Sequence, residues 1–74
     1  MENRRIDLKH RLNRESFLRI MQTLAEHKLL LTEYDSRLFR KLQDAWDTVG
    51  SDMTLTVKQY NHIKLVAFDL EKGA

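Results

Sequence analysis

No proline interrupts this chain, and its two glycines, Gly50 and Gly73, both fall where a helical pattern stops. A chain with so few helix breakers can be helical over most of its length. Its 74 residues allow one domain at most, and a chain of that size buries only about 60% of its unfolded surface. Cysteine is absent, so there is no disulfide, no thiolate ligand and no thiol nucleophile. That composition suits a reducing, cytoplasmic setting.

One local phrase occurs three times: a leucine, a capping residue, then a helical pattern. The instances are Leu12-Asn13, Leu31-Thr32 and Leu55-Thr56. The first helix is expected to start after Asn13, whose side chain can accept from an orphan N–H of the first turn. Leu12 would then close on Phe17 as a hydrophobic staple. Phe17, Leu18, Ile20, Met21, Leu24 and Ala25 span an arc of about 160°. Lys28 would land inside that arc, so the helix should end near His27 or Lys28.

The second helix is expected after Thr32, with Glu33 and Asp35 at the positive end of its dipole. Tyr34, Leu38, Phe39, Leu42, Ala45, Trp46 and Val49 form its stripe, and Gly50 suits the turn that ends it. Thr56 and Gln59 make a capping box for the third helix, with Leu55 stapled to Tyr60. Tyr60, Ile63, Val66, Ala67 and Leu70 form its core stripe, and Met53 should point inward from the preceding loop. The expected fold is all-α: a three-helix domain over residues 13–73 behind a basic, partly ordered arm at residues 1–12. That arm has room for a short extra helical turn, with Ile6 and Leu8 packing. Phe17, Phe39, Trp46 and Tyr60 should supply most of the buried aromatic area.

Chemistry is not written into this chain, and we expect no enzyme. His10, His27 and His62 fall in different elements, without the i, i+4 spacing of a helical zinc site, so neither metal nor cofactor is expected. Asp44 and Asp47 share an outer helix face, where carboxylates serve solvation. Ser16, Ser36 and Ser51 occupy ordinary first-turn or loop positions, away from any nucleophile elbow. The longest apolar run, Leu29-Leu30-Leu31, cannot span a membrane. No hydrophobic stretch follows the basic start as a secretory signal requires.

Two features point to partners. Thirteen Lys and Arg oppose eleven Asp and Glu, a net charge of +2, but the cations are unevenly placed. Arg4, Arg5, Lys9, Arg11 and Arg14 crowd the arm, and Arg37, Arg40 and Lys41 lie on the outer side of the second helix. Read functionally, they form a foot for nucleic-acid phosphates; read plainly, they are a frayed terminus and a salt-bridged solvent face. A helix-turn-helix is disfavoured, because the Gly50–Leu55 connection exceeds its tight turn and the third helix offers Lys58, His62 and Asp69 to a groove. The second feature is Val57, Leu65 and Phe68, which fall outside the core stripe of the third helix. Either the arm covers Phe68 with Ile6, Leu8 or Leu12, or the three residues form a docking surface for another chain.

"LTEYDSRLFRKL" and "LTVKQYNHI" together resemble a small helical module of phage and bacterial DNA-transaction proteins, such as the accessory C-terminal region of the phage UvsW helicase. The matching positions are Leu31, Thr32, Phe39, Leu55, Thr56, Lys58, Gln59 and Ile63, within residues 31–70. The resemblance implies a non-catalytic accessory role in DNA replication, recombination or repair, with DNA (single-stranded or duplex) or a protein such as a helicase as partner. "TLAEHKLLLTEYDSRLF", residues 23–39, is similar to the central region of the Hha co-regulators. That likeness implies a protein-interaction module or a homodimer.

Overall fold

A computed structural model describes residues 4–73. In chain order it contains a strand β1 (Arg5–Asp7), a helix α1 (Arg11–Glu26), a 3-10 turn (Lys28–Leu30) and a helix α2 (Glu33–Val49). A second 3-10 turn (Gly50–Asp52), a strand β2 (Thr54–Thr56) and a helix α3 (Val57–Gly73) complete it. The three helices form the expected bundle, and a two-stranded antiparallel ribbon is added to it.

The ribbon is the main departure from expectation. The described part of the arm forms no helical turn before α1; Arg5, Ile6 and Asp7 pair with Thr56, Leu55 and Thr54. The Val57 N–H extends the tie by donating to the Arg4 carbonyl at 3.3 Å. Strand geometry sends alternate side chains to opposite faces. Ile6 therefore turns toward the core while Arg5 and Asp7 stay exposed, and Leu55 opposite is fully buried. A ribbon this short is marginal alone. It persists here because Leu8, just beyond β1, is 0% exposed and joins Leu55 in the main apolar cluster.

Asp7 also sets where α1 begins. Its carboxylate accepts from the Lys9 N–H at 2.9 Å, and its carbonyl accepts from the His10 N–H at 3.2 Å and from Asn13 Nδ2 at 3.2 Å. Asn13 thus ties the helix to the strand instead of capping it. The helix starts earlier, at Arg11, with His10 in the cap position and no side-chain cap bond. The expected Leu12–Phe17 staple does not form: Leu12 is 66% exposed, whereas Phe17 is fully buried. Further along, Ile20, Met21 and Leu24 are buried but Leu18 and Ala25 are exposed, so the covered arc is narrower than the apolar one. The helix ends as expected, with the His27 N–H shared between the Thr23 and Leu24 carbonyls.

The other two helices start where their caps place them. Thr32 Oγ1 accepts from the Asp35 N–H at 3.1 Å. In the capping box, the Gln59 N–H donates to Thr56 Oγ1 at 2.9 Å, and the Thr56 N–H donates to Gln59 Oε1 at 3.1 Å. Gly50 ends α2 with φ +59°, a conformation side chains rarely adopt, and its N–H returns to the Trp46 carbonyl. On α2, Leu38 and Leu42 are buried and Phe39, Ala45 and Trp46 partly so; Tyr34 and Val49, near its two ends, are exposed. On α3, Ile63 and Ala67 are buried, with Tyr60, Val66 and Leu70 packed against the cluster. Met53 points inward as expected, and the Phe17 and Trp46 rings meet at 5.9 Å with a 45° tilt.

Because Leu8 is integral to the core, replacing it with alanine should destabilise the fold by about 3 kcal/mol. Urea unfolding monitored by circular dichroism measures this. A frayed arm would leave the midpoint unchanged.

Candidate interaction surface

Most of the expected phosphate-binding cations contact another group of the molecule, chiefly at its surface. Arg5 Nε donates to Thr54 Oγ1 at 2.7 Å across the ribbon, and Arg5 Nη2 donates to the Thr54 carbonyl at 3.3 Å. Lys9 lies 3.8 Å from Asp52. Arg11 and Glu15 pair at 3.1 Å, one helical turn apart, and Arg37 pairs with Glu33 at 3.5 Å in the same way. Arg14 is half-buried and points Nη1 at the Leu8 and Lys9 carbonyls. Arg40 and Lys41 are exposed on α2 and form no ion pair with a carboxylate of the described residues. The α2 face around them also carries Glu33, Asp44 and Asp47. These cations therefore belong to two mixed-charge regions, where exposed pairs each contribute little to stability.

The outer face of α3 differs. Leu65 is 64% exposed and Phe68 58% exposed. They flank a shallow depression shared with Asn61 and Lys64. The arm does not cover it: Ile6 and Leu8 pack on the main cluster beside β2, and Leu12 faces solvent. Val57 stands apart, half-buried in the first turn of α3 with its N–H taken by Arg4. The candidate surface is thus smaller than the sequence suggested, with Leu65 and Phe68 at its centre. On its inner side, Phe68 borders the seam between α1 and α3, lined by Arg19, Ile20, Thr23, Lys64 and Ala67.

One polar cluster was not anticipated. His62 Nε2 lies 2.6 Å from Asp35 Oδ1, joining the first turn of α2 to α3, and the Tyr34 ring meets the His62 ring edge-on at 5.5 Å. The Asp35 side chain is mostly buried in this contact. The sequence placed Asp35 only in the first turn of one helix and His62 on the outer face of another; their meeting depends on how α2 packs on α3. Nearer the C-terminus, the buried Thr23 hydroxyl bonds Glu71 Oε2 at 3.0 Å and the Arg19 carbonyl at 3.2 Å, tying α1 to α3.

Among the described residues, no three His, Asp or Glu side chains converge as a metal site, and no helix is long and apolar enough to cross a membrane. No family model matches the chain, and no curated protein or solved structure is detectably similar to it.

Exposed apolar side chains contribute little to folding, so Phe68→Ser should change unfolding free energy by less than about 0.5 kcal/mol. The same urea titration checks it. A loss near that of Leu8→Ala would place Phe68 in the core.

Proposed function

We propose that this chain is a non-catalytic protein-interaction module of the cytoplasm that docks a partner through the outer face of α3. The observation that carries this reading is the adjacency of Leu65 and Phe68, each more than half exposed on a rigid helix. Large apolar side chains placed together on a small domain form the kind of centre around which interfaces bury energy. His62 and Asp35 are read as a helix–helix tie.

A second reading keeps DNA as the partner, in an accessory role in phage or bacterial replication, recombination or repair. Arg40 and Lys41 favour it, being adjacent, exposed and without a carboxylate partner among the described residues. The contacts of Arg5 with Thr54 and of half-buried Arg14 with the Leu8 and Lys9 carbonyls weigh against it, since a phosphate would have to replace them, whereas the exposed pairs of Lys9, Arg11 and Arg37 are weak and readily exchanged.

The two readings separate experimentally. A photo-crosslinking side chain at position 65, in cells expressing the chain, should capture a discrete partner. Phe68→Asp should abolish the crosslink while leaving helicity intact; an undiminished crosslink would overturn the docking reading. Titration of labelled protein with single-stranded and duplex DNA should give no salt-sensitive shifts at residues 4–19 and 37–41. Such shifts would instead establish the DNA reading.

A further inference from the structure

Among the described residues, several of the cations without a carboxylate partner gather around Leu65 and Phe68. Lys64 lines the depression beside Leu65 and Phe68. The Lys72 ammonium lies 5.8 Å from the centre of the Phe68 ring. Arg19 faces Phe68 across the α1–α3 seam. Lys58, seven residues before Leu65, falls on the same side of α3. None of the four is paired with a carboxylate of the described residues. The acidic groups at this end of α3 are Asp69 and Glu71, and the Glu71 carboxylate is bonded to the buried Thr23 hydroxyl. Among the described residues, Asp69, four residues after Leu65, is the one carboxylate left on this face, so the apolar centre carries a rim of four cations against one exposed anion.

Resting on the docking reading above, we infer that the partner of α3 is an acidic amphipathic helix: apolar anchors placed over Leu65 and Phe68, flanked by Asp or Glu that meet Lys58, Lys64, Lys72 and Arg19. This is helix-in-groove recognition with complementary rims. The charge pattern selects this occupant over the alternatives. A second copy docked by two-fold symmetry would bring the same four cations face to face. A lipid surface needs a broad apolar face, and α3 offers only Leu65 and Phe68 on its outer side. A nucleic-acid backbone would leave that apolar centre without a counterpart.

The test uses the full chain, isotopically labelled, and two designed helical peptides. Both carry one leucine face; one is flanked by glutamate and the other by lysine. The glutamate peptide should shift Asn61, Lys64, Leu65 and Phe68 and bind about tenfold tighter than the lysine peptide. Added salt should weaken it, and the combined variant K58E/K64E/K72E should reverse the preference. Equal binding of both peptides, abolished by Phe68→Asp, would overturn the acidic partner but leave the docking surface standing. Binding of neither peptide, or tighter binding to phosphatidylglycerol vesicles or to duplex DNA, would overturn the inference as well. The crosslink from position 65 judges the docking reading independently of these outcomes.

Discussion

The pairing of Ile6 with Leu55 is the contact on which the rest of this small structure depends. It is a non-local contact that joins the start of the chain to the entry of the last helix. Once made, it delivers Leu8 into the core and positions Asp7 to organise the start of α1. It also carries the Thr56–Gln59 capping box, because β2 leads directly into α3. With no disulfide or metal ligand set available, a chain this short needs such a closure to gather enough buried apolar surface.

The same closure decides what remains open. An arm held along β2 is not available to lie over the far side of α3, so Leu65 and Phe68 keep their exposure. It also decides the fate of the charges. Folding the arm into a ribbon brings Arg5 to Thr54 and Lys9 to Asp52, while Arg14 turns inward to backbone carbonyls. Among the described residues, the cations left without a carboxylate or hydrogen-bond partner are Arg40 and Lys41 on the second helix, Lys28 in the turn after the first, and Arg19, Lys58, Lys64 and Lys72 around the outer face of the third.

What the sequence made legible was local. Thr32, Gly50 and the Thr56–Gln59 box each act within a few residues of themselves, and the structure uses each in its expected place. The four aromatic residues expected inside all contribute to the packed interior. What escaped was long-range. A three-residue strand is too short to show an alternating period, and its partner lies some fifty residues away, so β1 read as arm. Asn13 looked like a cap because its bond to the Asp7 carbonyl depends on that strand. Leu18, Ala25, Tyr34 and Val49 fit their helical stripes by periodicity, yet two neighbouring helices cover a narrower arc than each stripe offers. Val57, Leu65 and Phe68 separate for the same reason: only the tertiary course of the arm shows that Val57 sits beside the ribbon while the other two face outward.

The position of the arm is therefore the point to test first. Nuclear Overhauser contacts from the side chains of Ile6 and Leu8, assigned in uniformly labelled protein, report it directly. The structure requires contacts from the Ile6 backbone to Leu55 and from Leu8 to the Phe17–Leu55 interior, with none to Leu65 or Phe68. Contacts from Ile6, Leu8 or Leu12 to Phe68 would show the arm lying over α3, and both the ribbon and the open docking face would then be refuted.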